Sequence, residues 1–258
     1  MIDSHAHLDE KRYNKDRDKI IKNFKKDGLD LVFNIGADLE TSRASLDLAK
    51  KHDRIYAVIG VHPHDAETYT MEVEEELRQM AQEDKVVAIG EVGLDFYRDL
   101  SPRDVQRVAF NLQIDLAHDL GLPLVIHSRD ADQETFDILK LKQQQYGDLK
   151  ILIHCYSGSV EMMERYTKEL GALIALGGST TFKNSRVPKE VAKAVPLDYL
   201  LLETDSPYLT PEPFRGKRNE PKNVRLVAEF IADLRGMDVK DLIKITDQNT
   251  LDFFGVHL

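Results

Sequence analysis

The sequence predicts a (β/α)8 barrel, and three observations carry that reading. Eight short apolar runs punctuate the chain, amphipathic stretches separate them, and 258 residues is close to the ~250 such a barrel occupies. The runs are residues 1–4, 31–36, 55–61, 86–92, 124–127, 151–154, 172–176 and 199–202. They are rich in Val, Ile or Leu, as strands buried on both faces of a parallel sheet must be. The first is too short to judge by its pattern. A doubly wound sheet is the competing arrangement, but it usually stops nearer six strands.

Helix signals fill the intervals in turn. Residues 16–26 carry Ile20, Ile21 and Phe24 at helical spacing and are closed by Gly28. Ser101 is the expected N-cap of a long helix, with Pro102 in the first turn and Asp104 beside the positive end of the dipole. Val105, Val108, Ala109, Leu112, Leu116 and Leu120 then mark its apolar stripe, and Gly121 ends it. Residues 159–170, closed by Gly171, form another, and 223–234 and 239–254 supply two terminal helices. No linker or low-complexity segment interrupts the rhythm, so residues 1–258 are expected to form one domain.

Composition excludes several classes of function. A single Cys rules out a disulfide framework and any CxxC metal site. With 42% hydrophobic residues, 14 Gly and 9 Pro, the chain is neither disordered nor collagen-like. No apolar run approaches the ~18 residues of a membrane span. The start Met1-Ile2-Asp3-Ser4-His5 lacks the basic and apolar parts of an export signal, so the expected location is the cytoplasm, with no membrane association. A formal net charge of −10 argues against coating DNA by charge alone, though not against gripping phosphate at a local cationic site.

In a barrel, the C-terminal strand ends decide the chemistry. Six of the nine histidines fall there: His5, His7, His62, His64, His127 and His154. His5 and His7 lie two apart on a strand and point to one face, so both imidazoles can reach one ion. Strand 4 ends in Gly90-Glu91-Val92-Gly93-Leu94-Asp95 and strand 8 in Glu203-Thr204-Asp205. One strand-end histidine is usually a hydrogen-bonded core residue, but this convergence on one rim points to metal.

These residues also carry a resemblance. His5-Ala6-His7-Leu8-Asp9, Gly90-Glu91-Val92-Gly93-Leu94-Asp95, His127-Ser128-Arg129 and His154-Cys155-Tyr156-Ser157-Gly158 resemble the TatD family. So do Glu203-Thr204-Asp205-Ser206-Pro207-Tyr208 and Arg215-Gly216-Lys217-Arg218-Asn219-Glu220-Pro221, in the same order and spacing. That family comprises metal-dependent deoxyribonucleases within the wider amidohydrolase group. The resemblance implies a centre for two divalent ions, in which His5, His7 and Asp205 hold one, His127 and His154 the other, and Glu91 bridges. A carboxylate has two oxygens with which to span such a pair, whereas an imidazole has one free nitrogen. Mixed N/O ligands leave Mg, Mn and Zn all open.

The implied reaction is attack by water on a DNA phosphodiester. Asp205 could ligate through one oxygen and accept the water's proton through the other, and Glu91 shares the catalytic centre. Glu203, one layer deeper on the same face, is either a partner orienting a ligand histidine or a salt-bridge residue. His62 touches either phosphate or a structural hydrogen-bond partner. Arg129 either reaches a phosphate or forms a surface salt bridge. Arg215, Lys217 and Arg218 either bind phosphate, as the loop after strand 8 often does, or form a solvated charge run. Cys155 alternates to the other face and reads as packing. The expected partner is DNA as substrate, in short or single-stranded segments or at ends, and no stable protein partner is expected. The alternative on the same metal barrel is a small-molecule amidohydrolase or esterase.

Overall fold

Eight parallel strands follow one another in chain order around one sheet in the computed structural model, which describes residues 1–258. They are β1 (Ile2–Ala6), β2 (Leu31–Ile35), β3 (Ile55–Ile59), β4 (Val86–Asp95), β5 (Leu124–Arg129), β6 (Ile151–Ile153), β7 (Leu173–Leu176) and β8 (Leu200–Leu202). The helices are α1 (Arg17–Asn23), α2 (Leu39–Lys51), α3 (Met71–Met80), α4 (Arg103–Leu120), α5 (Asp132–Tyr146), α6 (Val160–Leu170), α7 (Arg186–Ala194), α8 (Val224–Arg235) and α9 (Val239–Phe254). The ring closes just past β8, where Ala6 bridges Ser206 and the Asp205 amide donates to the His5 carbonyl at 2.9 Å. The (β/α)8 barrel expected from the sequence is the fold.

Strand alternation sorts the core into two shells. Phe33, Val58, Val125, Leu152, Ala175 and Leu201 form an inner cluster, floored by Phe253 and Phe254 of α9. Phe254 stacks on Phe33 with ring centroids 3.9 Å apart. A larger cluster fills the layer between strands and helices. Each large apolar side chain so buried contributes roughly 1.5–3 kcal/mol. Two residues beyond Val125, Leu152 and Leu201, the same inward faces carry His127, His154 and Glu203. The packing that fills the barrel therefore also aims its polar layer at the mouth.

Element boundaries have identifiable reasons, including where they differ from expectation. β4 runs past its apolar run, which stops at Val92, to the expected strand end at Asp95, with an irregular register against β5 between Ile89 and Val92. Gly93 makes this possible: at φ +145 its absent Cβ would sit 1.9 Å from the His127 carbonyl oxygen. Ser101 is not the cap of α4; Pro102 takes that position and the Ser101 hydroxyl donates to the His64 carbonyl at 2.8 Å. α1 stops at Asn23, where the Phe24 amide turns back to the Ile21 carbonyl. By contrast, α6 has the expected Ser159 cap and Gly171 stop, and α9 spans the expected residues. No helix is long and apolar enough to cross a membrane.

Candidate metal centre

The strand ends bring His7, Glu91, His127, His154 and Asp205 together in the lining of one cavity of about 650 Å³ at the barrel mouth, and buried His5 approaches Glu91 and Asp205 through Nε2. Glu91 stands at the centre, buried, with its two oxygens facing different groups. Oε1 lies 2.7 Å from both His127 Nδ1 and His154 Nε2. Oε2 lies 3.5 Å from His5 Nε2 and 4.0 Å from His7 Nε2. Asp205 Oδ1 completes the second group, 3.4 Å from His7 Nε2 and 3.9 Å from His5 Nε2. The backbone reaches this arrangement through left-handed conformations at Cys155 (φ 45) and Asp205 (φ 53). Such positions cost non-glycine residues free energy and concentrate at functional sites.

Hydrogen bonds behind the imidazoles decide which nitrogen each presents. His7 Nδ1 lies 3.0 Å from the Ile35 carbonyl, which can only accept, so neutral His7 turns an Nε2 lone pair into the cavity. His127 Nε2 lies 3.2 Å from Asp95 Oδ2, so with its proton held there the neutral ring would offer Nδ1, which faces Glu91 Oε1 at 2.7 Å, to a cation. His154 directs Nε2 inward while Nδ1 faces Glu203 Oε2 at 3.6 Å; the other Glu203 oxygen accepts the Cys155 amide at 2.8 Å. His62 behaves oppositely. Its Nδ1 accepts the His64 amide at 3.0 Å, so the neutral ring carries a proton on Nε2 and offers the cavity a donor rather than a lone pair. It lies near Glu91 and His127 in a cluster of metal-binding residue types, but this tautomer suits an oxygen of a substrate better than an ion.

Charge follows the same geometry. Burial pushes the Glu91 carboxyl up, but His154, His62 and His127 outweigh it and hold it well below the usual range. Asp205 is likewise raised by burial and lowered further by His7, so it is anionic. Burial lowers His7, yet Asp205 and Glu91 pull it up to about 9. Burial, together with His127, drives His62 well below its ordinary value and keeps it neutral. Buried Glu91 and half-buried Asp205, facing converging imidazole nitrogens that include the inward Nε2 of buried His5, form a donor set for a divalent cation.

The softer candidates separate. Arg129 lines the cavity and forms no salt bridge; its guanidinium stacks on Tyr97 at 4.0 Å. Arg215 and Lys217 lie over Phe182 and Phe214, outside the cavity lining. Arg218 is committed elsewhere: it grips both Asp16 oxygens at 2.8 and 2.6 Å and also reaches Glu220, a structural clamp that leaves no fork for phosphate. Glu203 sits behind His154, not in a peripheral salt bridge. Asp95 and His64, both at strand ends, stand beside His127, although the sequence reading gives neither a role. Asp95 is buried, receives the Tyr97 and Arg98 amides on Oδ1, and faces His64 Nε2 at 2.8 Å as well as His127. The signal is the carboxylate that closes the strand-end motif Gly90-Glu91-Val92-Gly93-Leu94-Asp95, four residues after Glu91.

Asp95 gives a specific expectation. In Asp95→Asn the two backbone amides keep the carbonyl oxygen at the Oδ1 position, which places the amide NH2 against His127 Nε2. His127 must then carry its proton on Nδ1, the nitrogen it would otherwise offer to the cation. Divalent-metal affinity should fall on the order of 10–100-fold, the usual cost of losing such a partner. Calorimetric titration of metal-stripped protein checks this, and unchanged affinity would remove Asp95 from the support of His127.

The chain is similar to known metal-dependent hydrolases along its whole length. Residues 2–255 match the family model described as TatD related DNase. A Bacillus subtilis protein, uncharacterized metal-dependent hydrolase YabD, is 40% identical over 257 residues, covering 100% of both chains. The 3'-5' ssDNA/RNA exonuclease TatD of Erwinia amylovora is 34% identical over 262 residues, covering 99% of this chain and 100% of its own. The crystal structure of YJJV, a TatD homologue from Escherichia coli K12, superposes with a TM-score of 0.92 at 28% identity, covering 100% of this chain and 98% of that one. The chain therefore belongs to the TatD family, as a metal-dependent hydrolase acting on ester bonds.

Proposed function

We propose that this hydrolase is a deoxyribonuclease that cleaves phosphodiester bonds in short, single-stranded or end segments of DNA, using two divalent ions. The observation that carries the reading is Glu91, whose two oxygens face two separate groups of imidazoles. His5, His7 and Asp205 would hold one ion, His127 and His154 the other, with Glu91 shared between them. When bound, such ions bring the pKa of water towards neutrality and neutralise charge on phosphate oxygens.

The residues supply the rest. Asp205, kept anionic beside His7, accepts the proton of the attacking water through an oxygen not used for ligation. His62, kept neutral and protonated on Nε2, donates to a phosphate oxygen without adding a charge that would have to be desolvated. Asp95 holds His127 in register by a hydrogen bond, and the Glu203 carboxylate faces the Nδ1 side of His154 at 3.6 Å. Arg129 lies within reach of a neighbouring phosphate.

Activity assays on metal-stripped protein reloaded with Mg, Mn or Zn test this directly. Labelled single-stranded DNA should be cleaved, and duplex DNA mainly at its ends. Turnover of dipeptides, lactones or simple esters with intact DNA would instead establish the amidohydrolase or esterase reading. Salt gives an independent check. A chain of net charge −10 whose Arg218 is tied to Asp16 can neutralise only two or three phosphates. At about 0.7 per phosphate for single strands, log affinity should fall with log salt at a slope of about −2. A slope steeper than about −5 would require an extended basic track and would contradict the proposed mode of binding.

A further inference from the structure

Two tyrosine–arginine pairs stand on opposite sides of the barrel mouth, and the metal centre uses neither ring. Tyr97, just past β4, is 61% exposed, with the Arg129 guanidinium 4.0 Å from its ring centroid. Tyr208, past β8, is 39% exposed, with Arg12 at 4.5 Å from its ring centroid. In a ring of eight strands the β4–β5 and β8–β1 sides are diametrically opposed, so the histidine cluster lies between the two pairs. The backbone of each tyrosine is tied to the centre that the pairs flank. The Tyr97 amide donates to Asp95, the carboxylate behind His127. The Tyr208 amide donates to the carbonyl of Asp205 at 2.8 Å, and its ring stands edge-on to His7 with centroids 6.0 Å apart.

Each ring has a guanidinium beside it and keeps a large part of its surface exposed, 61% for Tyr97 and 39% for Tyr208. Such surfaces bind the faces of nucleobases, and they do so without regard to sequence because every base has one. We infer that Tyr97 and Tyr208 are stacking platforms for unpaired bases on either side of the scissile phosphate, which makes this centre selective for single-stranded nucleic acid. The inference rests on the phosphodiester reading above and deepens it. Bases within a duplex are stacked on one another and present no free faces, so the platforms reward frayed ends and single strands. Arg12 and Arg129, already beside the rings, are placed to meet the intervening backbone.

The test compares steady-state cleavage of a short single-stranded oligonucleotide with that of an abasic chain of equal phosphate count, by holoenzyme and by four variants. Tyr97→Ala and Tyr208→Ala should each raise KM for the oligonucleotide by about tenfold, the size of one lost base–aromatic stack, with a much smaller change in kcat. Tyr97→Phe and Tyr208→Phe retain the ring and should restore KM. The alanine penalty should vanish on the abasic chain, an outcome that simple misfolding cannot produce. If wild type cleaves the oligonucleotide but the alanine variants match its KM, or if it takes the abasic chain equally well, the platforms are wrong while the nuclease reading stands. If wild type cleaves neither chain, the phosphodiester reading itself falls and takes this inference with it.

Discussion

Asp205→Asn is expected to reduce turnover of single-stranded DNA by on the order of 10²-fold or more, with little change in KM. The substitution keeps the shape of the side chain and one oxygen for ligation, but replaces the oxygen that accepts the water's proton with an amide. His7 reports the change independently. In metal-stripped protein Asp205 and Glu91 hold its imidazole up to about 9 against burial, and without the Asp205 charge it should titrate lower. Near-wild-type turnover in a folded, metal-loaded Asp205→Asn protein would remove this residue from the mechanism.

Glu91→Gln should have the largest effect on metal. Glu91 is the one side chain whose two oxygens face both groups of histidines, so exchanging one oxygen for an amide weakens both ions together. His127→Ala, by contrast, should loosen mainly one. Losing the shared charge also leaves buried imidazoles without the carboxylate that compensates them, and His154, which Glu91 and Glu203 raise well above its ordinary value against burial, should shift down. Metal analysis after dialysis separates the cases: fewer than one ion retained in Glu91→Gln, about one in His127→Ala. Two full-strength ions in Glu91→Gln would show that it does not bridge.

The barrel and the strand-end histidines were legible because both depend on local periodicity, whereas the set of six central residues came from the family resemblance. An inward-facing strand residue is followed two places later by another, so Val125 and His127, Leu152 and His154, or His5 and His7 are linked by geometry that sequence alone contains. What lay hidden depends on contacts between distant segments or on backbone detail. The role of Asp95 depends on Gly93, which lets β4 continue past its apolar run. The role of His62 turns on one amide, that of His64, which fixes the ring's tautomer. Arg218 looked free until Asp16, 202 residues away, was seen to occupy it. Arg129 was weighed as a phosphate or carboxylate partner, yet it rests on an aromatic ring, a contact that requires the loop after β4 to be in place.

The most direct test of a Glu91-centred pair of ions is a titration of metal-stripped protein with Mn²⁺ while single-stranded DNA cleavage is followed. If both ions serve the reaction, cleavage should lag through the first equivalent and reach its maximum at the second. Full activity at one equivalent, or full activity in the metal-stripped protein, would contradict it.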